Sequence, residues 1–202
     1  MKTTVYNDIK ARNRPSFYAT PVAWAAANFT QLLIEDEGGI VPHHTGMIVV
    51  SDECSLSTIR DLSRTATQGS ISPLRFAGAS PSIVAGLPAL QQGIRGPTVC
   101  LTMPPGHASN AIVAMINYWI RYSNIVSVIA IAHYKLGESR HLFRGLIARS
   151  AGDELREQVC QLVDSQTGET EELHLDTVST GSGSDLVSDQ HAKFPRIHDS
   201  HR

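Results

Sequence analysis

The strongest constraint on the fold lies between residues 98 and 132. A β-branched run, TVCLT, meets a proline-glycine corner, MPPGH, and then a long apolar segment, NAIVAMINYWI. The next apolar run, IVSVIAIA, lacks polar alternation. Such a strand is buried on both sides, as in a parallel sheet flanked by helices. The helix predicted over residues 106–122 is apolar nearly all round: Ala108, Ala111, Ile112, Val113, Ala114, Met115, Ile116, Trp119 and Ile120 cover most of its surface. A helix on an open sheet normally turns one face to strands and the other to water. This one is expected to need a cover from outside its own strand-helix-strand unit.

The rest of the chain supplies the other layers. Thr20 before Pro21 is a helix start, with a capping hydroxyl followed by proline at the first helical position. Val22, Ala26, Phe29 and Leu33 then follow at helical spacing over residues 21–35, and Gly38 and Gly39 end the run. The stretch GMIVVS reads as a buried strand. Leu56, Ile59, Leu62 and Ala66 predict a helix over residues 55–68, and Ile83, Leu87 and Leu90 predict another, with Pro88 inside it and Gly93 after it. Residues 73–80 read as irregular and 98–102 as a strand. Residues 138–156 are charged and read as helical, and a hairpin is expected from 158–164 and 171–176. The expected organisation is an arm (1–15), an α/β domain with a mostly parallel sheet and helices on both faces (16–178), and a tail without apolar pattern (179–202).

Composition closes several functional classes. The formal net charge is −2, and no basic run clusters the Lys and Arg that phosphate neutralisation needs, so no nucleic-acid partner is expected. Hydrophobic residues reach 42%, yet no window holds the ~18 uninterrupted apolar residues of a membrane span. The start, MKTTVYNDIKARNRP, lacks the apolar stretch of a secretory leader. Cys54, Cys100 and Cys160 are odd in number with no CxxC spacing, which disfavours a disulfide framework and a zinc ribbon and suits a reducing cytoplasm. His43-His44 reads as a loop pair, so neither metal nor cofactor is expected. Cys100 reads as a small buried hydrophobe. Cys54 reads as inert, because Asp52 and Glu53 disfavour its thiolate. His133, at a strand end, reads as a satisfied structural histidine. Trp24, Trp119 and Tyr122 read as core or interface aromatics.

Several blocks, in order, resemble the N-terminal half of a beta-ketoacyl synthase, a condensing enzyme of the thiolase fold. RPSFYATPVAWAAANFTQLLIEDEG is similar to that family's first helix and GMIVVS to a "GVVVGS"-type strand. SPLRFAGASPSIVAGLPALQQGIRGPTVCLT is similar to the segment that leads to "G-L-x-G-P" and the strand before the nucleophile. NAIVAMINYWI and SVIAIAHY resemble the nucleophile helix and the strand after it. The likeness covers about 120 residues, 14 to 134.

The resemblance implies where chemistry should sit and where it is missing. The family's nucleophilic Cys falls on Pro105 or Gly106, neither of which can attack a thioester. The family's two catalytic His belong to its C-terminal half, and His174, His191, His198 and His201 stand in no matching context. No catalytic residue is therefore assigned, and condensation is not expected. Pro105, Gly106, His107 and Ser109 form a candidate acyl or ligand pocket at a helix N-terminus. Ser109 with His107 as nucleophile and base is disfavoured, since i and i+2 do not face each other on a helix. The resemblance further implies dimerisation through the strand Thr98, Val99, Cys100, Leu101 and Thr102, pairing edge to edge.

The implied role is a chain-length-factor-like subunit, a homodimer or the partner of a competent synthase, with acyl carrier protein nearby, in bacterial fatty-acid-like or polyketide biosynthesis. Two alternatives stand beside it. One is an enzyme with altered acyl chemistry (thioester hydrolase, acyltransferase or isomerase) at the 105–109 corner. The other is a scaffolding or binding protein.

Overall fold

The computed structural model describes residues 1–7, 19–69 and 73–164. Its centre is a five-stranded sheet in the order β1-β5-β4-β2-β3. The strands are β1 (Lys2–Tyr6), β2 (Thr45–Val50), β3 (Thr98–Leu101), β4 (Ser127–Lys135) and β5 (His141–Ala148). β2 pairs in parallel with β3 and β4, whereas β4–β5 and β5–β1 are antiparallel. The sheet is thus mixed rather than mostly parallel. β2 and the first seven residues of β4 are buried throughout, as their unbroken apolar runs required.

Six helices complete the described fold: α1 (Pro21–Asp36), α2 (Leu56–Ala66), α3 (Pro73–Ala77), α4 (Ile83–Gln91), α5 (Ser109–Tyr122) and α6 (Asp153–Val163). Two apolar clusters form, one per face of the sheet. On one side α1 and α4 bring Phe29, Leu33 and Val84 against Met47, Val49, Ile129, Ile131 and Phe143. On the other, α5 and α6 bring Ile112, Ile116, Val159 and Leu162 against Ile48, Val50, Val128 and Ala130. Helices on both faces are therefore observed.

Local chemistry explains the boundaries. Thr20 Oγ1 accepts the Ala23 N–H at 3.1 Å, and Pro21 opens α1. Gly38 (φ +75°) lets the chain leave α1, with Gly39 N–H donated to the Ile34 carbonyl at 2.9 Å. Gly145 on β5 is where α1 comes closest: a Cβ there would lie 2.7 Å from both Leu33 Cδ2 and Phe29 Cε1.

Four expectations are corrected. Lys2–Tyr6, expected within an arm, is an edge strand, and Tyr6 packs edge-on against Phe143 at 5.5 Å between ring centroids. Residues 138–156, expected as a helix, hold β5 and only the first turn of α6, from Asp153. Arg140, His141 and Arg144 gave that stretch a solvated look, yet Arg144 is only 2% exposed. Its guanidinium donates to the carbonyls of Gln161 and Asp164 at the C-terminal end of α6, a favourable place for a cation. Residues 158–164, expected as a hairpin strand, lie mostly in α6, because Leu155, Val159, Leu162 and Val163 recur at helical spacing and are buried. Residues 73–80 include the short helix α3. The other hairpin arm, 171–176, and the 179–202 tail lie outside the described residues.

The apolar helix is also corrected. α5 starts at Ser109, after a 3-10 turn, Pro105–His107. It buries Ile112, Val113, Ile116 and Trp119 against the sheet. Its far side is open in the single chain, with Tyr118 and Tyr122 59% and 73% exposed. Asn110, Ala114 and Arg121 share that exposed side. The helix does have a wet face, and that face is semi-aromatic.

Candidate functional site

The Pro-Gly corner sits where the sequence placed it, between the C-terminal end of β3 and the start of α5. Pro105 is buried, Gly106 and His107 are exposed, and Ser109 is half-buried. Two backbone bonds close the corner: His107 N–H is donated to the Pro104 carbonyl at 3.0 Å, and Ala108 N–H to the Pro105 carbonyl at 2.9 Å. Two prolines supply no N–H at all. Ser109 makes no side-chain cap bond. A cleft of about 450 Å³ does open on the molecule, but at the opposite end of the strands, lined by residues 38–41, Val126, Ser127 and Arg149. Arg149 there donates to the carbonyls of Glu37 and Gly39 at 2.9 and 3.0 Å, so its guanidinium is occupied in holding the loop.

A polar cluster that the sequence reading did not assemble lies at the C-terminal ends of β2 and β4. Ser51 Oγ is 2.8 Å from His133 Nδ1, and His133 Nε2 is 2.9 Å from His141 Nδ1. Ser51 Oγ also accepts the Cys54 N–H at 3.0 Å and the Glu53 N–H at 3.2 Å. Those two donors fill the hydroxyl's acceptor capacity, so the Ser51 proton points to His133 Nδ1. His133 must then carry its proton on Nε2 and donate it to His141 Nδ1. The chain of bonds assigns both tautomers and gives one directed relay from Ser51 to His141.

The relay is sealed. Ser51 and His133 are both 0% exposed. His133 stacks on Phe143 at 4.6 Å and on His141 at 5.2 Å between centroids. Burial, with the charges of His141 and Lys135 behind it, pushes His133 down to about 3. His141 is pushed down too, again chiefly by burial. A base that weak beside a hydroxyl no substrate can touch fastens strand ends together rather than activating a nucleophile. His133 is thus the structural histidine expected.

The cysteines depart from expectation. Cys100 is half-buried on β3, and its sulfur lies 3.7 Å from that of Cys54. Cys54 also donates its S–H to the Ser51 carbonyl at 3.0 Å. The hydrogen bond with Cys100 pulls the Cys54 thiol down and outweighs burial and the opposing charges of Asp52 and Glu53. Cys100 is pushed up, first by that same bond and then by burial. The two acidic neighbours act in the direction expected of them, but they do not decide.

β3 is an edge strand of the sheet, as the sequence implied, and its outer side has no partner among the described residues. Thr102 lies just past its end. No helix of the described residues is long and apolar enough to cross a membrane. No group of three or more His, Cys, Asp or Glu is placed among them to hold a metal ion.

Neither a protein-family model nor a curated protein sequence matches this chain. Among solved structures it is similar to one described as "The ishigamide ketosynthase/chain length factor", with a TM-score of 0.53 at 14% identity. The likeness covers 67% of this chain and 46% of that one, so this chain spans less than half the length of that protein. The likeness is one of fold: a mixed α/β sheet with helices on both faces, shared over two thirds of this chain.

Proposed function

We propose that this chain is a non-catalytic, ketosynthase-like subunit that pairs with a competent beta-ketoacyl synthase in polyketide or fatty-acid-like biosynthesis. The carrying observation is a scaffold with the ketosynthase-like strand-to-helix corner that holds Pro105 and Gly106, neither of which has a side chain able to attack a thioester. A solved relative in fold is itself described as a ketosynthase/chain length factor. Two further features favour pairing. β3 leaves an edge open, and an open edge invites a strand from another chain. Tyr118 and Tyr122 stand exposed on the adjacent helix, and aromatic residues are enriched at interfaces. The subunit would lend its α5 surface to the partner's acyl tunnel and take part in docking an acyl carrier protein.

The test is co-expression with ketosynthases from the same genome, followed by size-exclusion chromatography with mass measurement. Co-elution as a defined complex, with no condensation by this chain alone, is expected. A chain that stays monomeric and binds neither synthase nor carrier protein overturns the reading.

A further inference from the structure

Two of the three cysteines, 46 positions apart, are brought by the fold into sulfur-sulfur contact at 3.7 Å. Cys54 follows β2 in a tight turn, with φ at +35°, a left-handed conformation that side chains other than glycine adopt at a cost. That turn is fixed by the Ser51 hydroxyl, which takes the Cys54 N–H, and by the Ser51 carbonyl, which takes its S–H. Cys100 stands across from Val49 in the β2–β3 register, on the α1/α4 side of the sheet, and is only half-buried. The thiol held by the turn therefore faces one that keeps contact with solvent.

We propose that Cys54 and Cys100 form a reversible disulfide, made by a peroxide and undone by a dithiol, that ties the turn after β2 to the edge strand β3. The sulfurs must close from 3.7 Å to about 2.05 Å, a movement within reach of side-chain rotation. In the first step one thiolate attacks a peroxide oxygen. An S–O bond forms, the O–O bond breaks and hydroxide leaves. In the second step the other thiolate attacks that sulfur. The S–S bond forms, the S–O bond breaks and a second hydroxide leaves. Both hydroxides take up the thiol protons as water, so two electrons pass from the two sulfurs to the peroxide. A dithiol reverses this by exchange and is itself oxidised. Oxidation also removes the S–H bond to the Ser51 carbonyl, so the turn that feeds the buried relay senses the change.

The full chain carrying Cys160→Ser, a substitution at an exposed site, is treated with hydrogen peroxide or with dithiothreitol, then unfolded, alkylated and weighed. Alkylation of both remaining thiols after dithiothreitol and of neither after peroxide is expected. Trypsin should then yield the peptide ending at Arg60 linked to residues 96–121. Dithiothreitol should return the separate peptides, and neither Cys54→Ser nor Cys100→Ser should give the link. The wild-type chain, mapped in the same way, should give the same linked pair and leave Cys160 outside it. Thiols that stay alkylatable after peroxide, or a link that forms only when the oxidant meets unfolded chain, overturn the proposal.

Discussion

Lowering the pH from 7 to 5 should weaken this protein through one buried side chain. His133 has its proton affinity pushed from the ordinary 6.5 down to about 3. Between those values the unfolded chain takes up a proton that the folded chain refuses. Stability is therefore fully present above about 6.5, falls as pH drops through the window, and levels off below about 3. At pH 5 the unfolded imidazole is mostly charged and the folded one neutral. The difference is worth about 2 kcal/mol, at 1.36 kcal/mol for each unit of pH below 6.5. For a chain of this size that corresponds to a fall of about 4–8 °C in melting temperature. His141, lowered in the same direction, adds to it. Unfolded carboxylates titrate mostly below this range, so the interval isolates histidine. The assay is thermal and urea unfolding at steps from pH 7 to pH 5, for wild type and His133→Gln. Glutamine can still accept from Ser51 and donate to His141 but does not titrate. The variant should start less stable and lose about 2 kcal/mol less across the interval. Parallel pH profiles for the two proteins would refute the sealed-relay account.

Gly96→Ala should cost about 3 kcal/mol or more, since the new Cβ would overlap the Thr45 carbonyl oxygen, which also accepts the Gly96 N–H at 3.1 Å. A wild-type urea midpoint for this variant would show that the approach of residue 96 to β2 is looser than the structure has it. The double substitution Tyr118→Gln, Tyr122→Gln should lower the melting temperature only slightly, because both rings are largely exposed and glutamine puts no charge in the last turn of α5. It should weaken co-elution with a ketosynthase at least about tenfold, as loss of a paired aromatic anchor does; undiminished co-elution would remove α5 from the proposed interface.

Legibility in the sequence followed periodicity. α1 shows a stripe, a cap and a proline, and its bounds match to within a residue. β2 and β4 were readable because no polar residue interrupts them. β5 was not, because its buried polar groups find partners on neighbouring elements. Arg144 reaches the end of α6, and His141 reaches His133. Read alone, both look like solvated surface. The relay was half visible: His133 closes an apolar strand, and Ser51 is the first polar residue after another. Nothing in either position says that the two are 2.8 Å apart, since that depends on β2 and β4 being neighbours in register. The Cys54–Cys100 contact was hidden for the same reason. β3 must lie beside β2 before a cysteine after one strand can meet a cysteine within the other.

The two faces of the sheet are finished differently, and this bears on where function can lie. The α1/α4 side packs tightly onto the strands, although Leu90 on the outer side of α4 stands exposed. Gly145 lets Phe29 and Leu33 down onto the strands, and the Ser51–His133 pair seals the strand ends with no exposed surface. On the other side, α6 is locked by Arg144, and the Tyr134 hydroxyl reaches the Leu162 carbonyl at 3.4 Å. Burial raises that hydroxyl to about 12, so it remains a neutral donor. What is left unfinished is contiguous in the chain: the outer edge of β3, the Pro105 corner and the outward side of α5. A corner built to react needs free N–H groups and a nucleophile. This one has prolines, and its His107 and Ala108 N–H groups are bonded within the corner. The prolines stiffen the junction between an open strand and an aromatic helix face. Under the pairing proposed above, that stiffness suits a surface that another chain seats against.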